Sequence, residues 1–437
     1  MKRYLNPERK DWDRILQRPG FDTSELTEKV QSILCAVRKE GEQAVRRFTE
    51  QFDGIRIGNF AVSQEELDEA AGQISDELRQ AVEAAALNIR RFHEMQLPRP
   101  KKMETTPGVI CWQKAVPIEK VGLYIPGGSA PLFSTVLMLG IPAKIAGCRE
   151  IVLCSPPDKN GKINPAILFA AKTVGITTIF RLGGVQAIGA MAYGAGSVPK
   201  VDKIFGPGNQ YVMAAKQLVS ISDVAIDMPA GPSEVAVMAD DSAVPAFVAS
   251  DLLSQAEHGP DSQVVLVTSS PAFADEVEKE INLQLGQLSR KNIAAKALDN
   301  SICIVLNNDQ QMIELINAYA PEHLIISMNG YQQVAERIVN AGSVFLGNYT
   351  PESAGDYASG TNHTLPTNGW ARSFSGVNLD SFLKKITFQK ISEEGIQNLG
   401  PVIQTMARAE QLSAHENAVT IRISELKRAA FRAAQNQ

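Results

Sequence analysis

The stretch Val121-Gly-Leu-Tyr-Ile125-Pro-Gly-Gly-Ser-Ala-Pro131 decides the fold. Residues 121–125 read as a short buried strand, and a glycine-rich turn stops it. An apolar helical stretch over 133–147 follows, then a second apolar strand over 150–155. Strand, helix and strand at that spacing predict parallel neighbours joined by a right-handed crossover.

Downstream the alternation continues: helix 164–173, strand 177–182, helix 186–193, strand 202–205, helix 209–220 and strand 223–227. It then restarts, with strand 234–239, a helix running from about Ala243 to His258, and strand 263–268, a spacing that matches 121–155 with little residue identity. Helices 273–287, 309–319 and 331–340 and strands 302–306, 323–327 and 343–347 complete this second set. The expected fold is α/β, two Rossmann-like parallel-sheet domains related by a possible duplication. Upstream, residues 1–22 read as an irregular arm, 24–52 as helical, and 63–95 as a second helical stretch opened by a Ser63–Glu66 capping box. A short β-like stretch covers 109–115. Beyond Leu379 the chain reads as charged and helical apart from 386–388, too short for a core of its own. The expected division is an arm, 1–22; an α/β domain with N-terminal helices, 23–118 and 234–378; a dinucleotide-binding α/β domain, 119–233; and a helical tail, 379–437.

Composition removes several function classes. The 437 residues carry a net charge of −5 with no basic domain, which excludes nucleic acid as an expected partner. No run nears 18 apolar residues and Met1-Lys-Arg-Tyr-Leu-Asn-Pro7 has no apolar signal core, so a cytoplasmic chain without membrane spans is expected. Five scattered cysteines without zinc spacing read as packed thiols.

Four glycine-rich turns follow strands: Tyr124-Ile-Pro-Gly-Gly128, Gly183-Gly-Val-Gln186, Phe205-Gly-Pro-Gly-Asn209 and Met228-Pro-Ala-Gly-Pro-Ser233. Several lead into helices, whose first N–H groups can face a phosphate; none fits G-x-G-x-x-G, and each alone is also an ordinary tight turn. Together on one sheet edge they predict a ligand crevice. The five histidines are spent unevenly. His93 lies mid-helix among charges and reads as solvated. His258, His323, His363 and His415 fall at element ends, where chemistry is usually placed. In Ser254-Gln-Ala-Glu-His-Gly-Pro260, Gln255 and His258 are three apart on a last helical turn, able to share a cation or simply to cap the helix. Glu322-His323 opens a strand, an acid–base pair suited to neutral pH or a solvated loop pair.

Together with Ser254–Asp261, the motifs Gly206-Pro-Gly-Asn209, Asp227-Met-Pro-Ala-Gly-Pro-Ser233, Tyr319-Ala-Pro-Glu-His-Leu324 and Gly355-Asp-Tyr-Ala-Ser-Gly-Thr-Asn-His363 resemble the histidinol dehydrogenases. The resemblance runs from about Val30 to the tail; Asn368 and Trp370 depart from the pattern, and no role is carried onto their loop. It implies an NAD-dependent zinc alcohol/aldehyde oxidoreductase that converts L-histidinol to L-histidine, the last step of histidine biosynthesis. It implies one zinc per subunit on Gln255, His258, Asp356 and His415, with substrate held by these, Ser233, His323 and Glu410. It further implies NAD contacts at Tyr124, Gln186 and Asn209, catalysis by Glu322 and His323, and a homodimer whose tails exchange to share active sites. A paralogous enzyme acting on another small alcohol is the alternative. A zinc hydrolase would call for H-E-x-x-H, which is missing, and a structural zinc for cysteine ligands.

Overall fold

The structure, a computed structural model, describes residues 1–19, 24–127 and 130–435. It divides into two compact units, Met1–Gln96 with Ile118–Phe382 and Leu97–Pro117 with Leu383–Gln437. Numbered in chain order, the strands are β1 (Lys2–Leu5), β2 (Lys102–Thr106), β3 (Val109–Pro117), β4 (Lys120–Tyr124), β5 (Glu150–Ser155), β6 (Thr178–Arg181) and β7 (Lys203–Phe205). They continue as β8 (Ala225–Ile226), β9 (Glu234–Ala239), β10 (Gln263–Thr268), β11 (Ile302–Val305), β12 (His323–Ser327), β13 (Ser343–Leu346) and β14 (Leu383–Ile391).

The first unit contains two parallel sheets, ordered β6-β5-β4-β7-β8 and β1-β11-β10-β9-β12-β13. In each, the strand that comes first in its α/β set, β4 or β9, is central. The next two extend the sheet on one side and the last two on the other, so the topological switch falls beside β4 and beside β9. Two Rossmann-like sheets are therefore present, with the repeated order that the spacing of the two sets predicted. Their strands are apolar along both faces because helices cover both sides: β9 and β10 are buried throughout.

The arm contributes more than expected. Lys2–Leu5 adds the edge strand beside Ile302–Val305, and Trp12, Ile15 and Leu16 enter the core around β11 and β12. Nothing local in Lys-Arg-Tyr-Leu marks a strand, since an edge strand of four residues is made by its partner. The helical stretch 24–52 is two helices, Ser24–Glu40 and Glu42–Asp53, broken at Gly41 with φ +59°. The stretch 63–95 is likewise Gln64–Glu69, with the expected capping box, and Asp76–Glu94, capped by Ser75. These helices, grouped by sequence with residues 234–378, pack Val30, Leu34, Val37, Val45, Val82 and Ile89 into the cores around the first sheet. His93, expected in solvent, is buried, with Nδ1 2.8 Å from the Ile89 carbonyl oxygen. A further helix, Lys291–Asp299, precedes β11.

In the second unit β14 pairs antiparallel with β3 along its whole length, stacking Phe388 on Trp112 at 5.3 Å, and β2 completes the sheet. Helices Glu393–Ala409 and Ser413–Gln435 pack on each other. The tail is thus not only helical; its nine-residue strand depends on a partner some 270 residues earlier in the chain, which no local pattern signals. Among the described residues no helix is long and apolar enough to cross a membrane. Gly128, in the turn after β4, and residue 22, the expected end of the arm, lie outside the described residues.

Candidate active site

Helix Asp309–Tyr319 ends at Ala320, which takes the left-handed conformation (φ +54°), and Pro321 forbids any continuation. This corner delivers Glu322 and His323 to the start of β12, both buried, beside the start of β9. The Glu234 backbone N–H donates to Glu322 Oε2 at 2.9 Å, and His323 Nδ1 lies 3.4 Å from the Glu234 carbonyl oxygen. A strand mouth that buries both neighbours explains why adjacent residues serve one hollow.

The short helix Glu352–Tyr357 brings two more carboxylates, one turn apart. It packs against β13 closely enough that a Cβ on Gly355 would stand 2.7 Å from the Phe345 ring. His323 Nδ1 is 3.7 Å from both Glu322 and Glu352, and Nε2 is 3.5 Å from Asp356. Helix Pro245–Ala256 adds Gln255, buried with neither amide atom hydrogen-bonded. That helix stops at Ala256, so His258 lies in the turn beyond it, its N–H donating to the Gln255 carbonyl at 3.2 Å. The ligand-type atoms of His258, Glu352 and Asp356 all fall within 4.8 Å of one another. His363 sets its ring between the Asp356 carbonyl oxygen (2.8 Å) and Thr135 Oγ1 (3.1 Å). All of this lies at the amino ends of the second sheet.

Burial alone would push His323 down, but the carboxylates of Glu352, Glu322 and Asp356 reverse this and hold it up at about 10. Burial raises Glu322 to about 8, partly opposed by His323 and the Glu234 N–H. Burial also drives Glu352 well up, whereas Asp356, despite its own burial, is pulled below the usual range by His323.

The turns that end β4, β6, β7 and β8 gather at the carboxyl edge of the first sheet, as predicted. Tyr124 is buried with its hydroxyl accepting the Gly184 N–H at 3.2 Å, and burial pushes its phenol up to about 12, so it stays a neutral donor. Gln186 donates to Asp53 at 3.4 Å and leaves its buried oxygen without a partner. Asn209 caps helix Gln210–Ser220, its side-chain oxygen accepting two backbone N–H groups. Asn209 also borders a cavity of about 600 Å³ together with Gly231, Pro232 and Arg18. Beneath it, Lys216 Nζ meets Asp227 Oδ1 at 2.6 Å and the Gly206 carbonyl at 2.7 Å, both side chains nearly inaccessible. Asp227 accepts the Gly206 and Met228 N–H groups at 2.8 Å, tying the two turns together.

A family model described as histidinol dehydrogenase matches residues 16–423. Histidinol dehydrogenase of Bacteroides thetaiotaomicron is 61% identical over 98% of this chain and 100% of that protein. The chain belongs to the histidinol dehydrogenase family.

Other relatives agree. Histidinol dehydrogenase of Aliivibrio fischeri is 53% identical over 95% of this chain and 94% of its own length. The crystal structure of histidinol dehydrogenase from Elizabethkingia anophelis superposes with a TM-score of 0.96 at 53% identity, over 98% of this chain and 99% of that one. In the present chain His258, Glu322, His323, Glu352 and Asp356 converge, Gln255 is buried on the last turn of the helix just before His258, and Ser233 precedes Glu234 at the same sheet edge. Glu410 and His415 belong to the second unit, Glu410 closing one helix and His415 in the first turn of the next, both exposed. Sequence reading passed over Glu352, although Glu352 and Asp356 at i, i+4 share a helix face, and that spacing was visible. It also passed over Arg18 and Glu234, whose meeting no local pattern announces.

Proposed function

We propose that this chain oxidises L-histidinol to L-histidine, the last step of histidine biosynthesis, in the cytoplasm. Glu322 and His323 carry the proton transfers on substrate held at the amino ends of the second sheet. The observation that carries the reading is the buried Glu322–His323 pair beside Glu352 and Asp356, which gather with His258 into one group of ligand-type atoms. Five free cysteines fit a reducing compartment.

The donor set fits zinc: nitrogen and oxygen ligands without cysteine, and buried amide and carboxylate atoms left without partners. Gln255, His258 and Asp356 would hold it, with His415 supplied by the partner copy of a homodimer. When bound, zinc anchors the substrate's nitrogens and orients its alcohol carbon. Tyr124, Gln186 and Asn209 would hold NAD, which would supply the hydride acceptor for each of two oxidations.

His323 accepts the alcohol proton in the first oxidation. Glu322 then takes a proton from the water that hydrates the aldehyde, and His323 accepts one from the resulting diol. To act as a base, His323 must start neutral. With Asp356 engaged by a cation, less negative charge would face His323 and burial would again favour its neutral form. Ser233 and Glu410 complete the hold on substrate, which keeps the aldehyde from escaping between the halves.

The test is stoichiometry. Histidinol with excess NAD should yield two NADH per histidinol consumed, chelation should abolish turnover with the fold intact, and zinc should restore it. A fully active metal-free enzyme would sink the zinc assignment, and a yield of one NADH would sink the two-step reading.

A further inference from the structure

We propose that Arg18, on the segment ahead of the first long helix, is a positioning residue for the Glu322–His323 pair and acts through Glu234. The proposal rests on the catalytic role given to that pair above.

The geometry is a relay of fixed contacts. The Arg18 guanidinium grips the Glu234 carboxylate with two nitrogens, Nε on Oε2 and Nη2 on Oε1, the latter at 2.8 Å. The same Nη2 donates to the Tyr319 carbonyl at 2.7 Å and approaches that of Ala320 at 3.4 Å. The guanidinium carbon lies over the Tyr319 ring, 4.1 Å from its centre. The Tyr319 hydroxyl donates to Gln263 Oε1 at 2.8 Å and stands 3.4 Å from Glu234 Oε2. Glu234 itself is 1% exposed, so removing this partner would leave its carboxyl buried without the fork that holds it.

One side chain therefore holds three things at once: the first residue of β9, the end of helix Asp309–Tyr319, and the strained corner at Ala320. Both working groups hang from what it holds. The Glu234 backbone donates to Glu322 and faces His323, while Ala320 and Pro321 lead directly into them. A planar fork suits this task, and an ammonium does not reproduce it. The hydrogen bonds of Arg18 go to Glu234, Tyr319 and Ala320 and none to Glu322, His323 or the proposed metal ligands, so its role toward the pair runs through position.

The experiment uses the zinc-loaded, full-length chain. Arg18→Ala strands a buried carboxylate and can unfold the protein, so Arg18→Lys is the working variant, assayed well below its unfolding temperature. The expected result is a kcat lowered about 10- to 100-fold, since misplacing catalytic groups by around 1 Å costs that much. A second readout separates position from general structure: in a His323→Ala background, Arg18→Lys should slow the alcohol-to-aldehyde half by less than about twofold, because the base of that half is gone. An unchanged kcat for Arg18→Lys overturns the proposal, and so does the same fold-loss with and without His323. Full activity of His323→Ala alone would remove the catalytic reading of the pair and this proposal with it.

Discussion

Glu322 and His323 sit 3.7 Å apart and share one buried hollow, yet the proposed chemistry asks different things of them. Glu322→Gln removes the group that activates water and leaves the imidazole. It should slow the aldehyde-to-acid half far more than the alcohol-to-aldehyde half, whereas His323→Ala should slow both, by about 10²–10⁴-fold. Single-turnover measurements starting from the alcohol and from the aldehyde check this, and equal slowing of both halves by Glu322→Gln would refute the division. Asp251, on the helix that carries Gln255, makes a separate prediction about stability. Burial raises it to about 7, partly opposed by the Glu352 backbone N–H. Its folded pKa thus lies above the value of about 3.9 expected in the unfolded chain. The native state holds the proton more tightly, so this group favours folding most below pH 4 and loses that contribution as pH rises to 7. Asp251→Asn should match the parent at pH 4 and exceed it above pH 7, by up to about 4 kcal/mol at 1.4 kcal/mol per pH unit. Urea midpoints across that range are the measurement. Glu322 and His323 were legible as a pair from their place at a strand mouth; Asp251 was not, because only packing buries it.

At the level of elements, the turns after β7 and β8 are joined by Lys216 and Asp227, from a helix and from the end of a strand. Gly206 also lets the turn after β7 pass close to the end of β4. It takes φ +123°, and a Cβ there would lie 2.1 Å from the Tyr124 carbonyl oxygen. Breaking a buried pair by removing one partner leaves an uncompensated charge and typically costs about 3–5 kcal/mol. Lys216→Met should lose stability on that scale, and KM for NAD should rise because the Gly206–Asn209 turn loosens beside its proposed contact. Chemical denaturation and initial-rate kinetics together check both parts; a stable variant with unchanged KM would show the turns to be held by other means. The glycine turns themselves were readable from sequence, since turn chemistry is local. Edge strand β1 and strand β14 were not, because each exists through pairing with a distant partner.

On the scale of the whole molecule, the second unit leaves Ile386, Phe388, Val402, Met406, Ile421 and Phe431 exposed, and apolar residues in such number usually meet a partner. With Glu410 and His415 on the same unit, the proposal is that this unit completes a neighbour's active site across a two-fold axis. Mixing a His323→Ala chain with a His415→Ala chain, each severely impaired alone, tests it. With crossed tails, one site of each heterodimer receives both defects and the other receives neither. Random mixing makes roughly half the dimers mixed, so about a quarter of the parent activity should return. A dead mixture containing heterodimers verified by mass would place both residues in their own subunit's site.

By itself the sequence determined the alternation of strands and helices, the restart that makes two sheets, the glycine turns on one edge, and the motifs that carry the family. These follow from local periods and turn residues, which the chain cannot hide. It could not show that the histidine and carboxylate group sits at the amino ends of the second sheet, the side opposite to where parallel sheets usually bind ligands. Nor could it show that Arg18 and Glu234 stand behind that group. Strands buried on both faces carry no mark of which end faces a ligand. Side chains drawn from residues 18, 234, 323 and 352 become neighbours only when the second sheet and its flanking segments assemble.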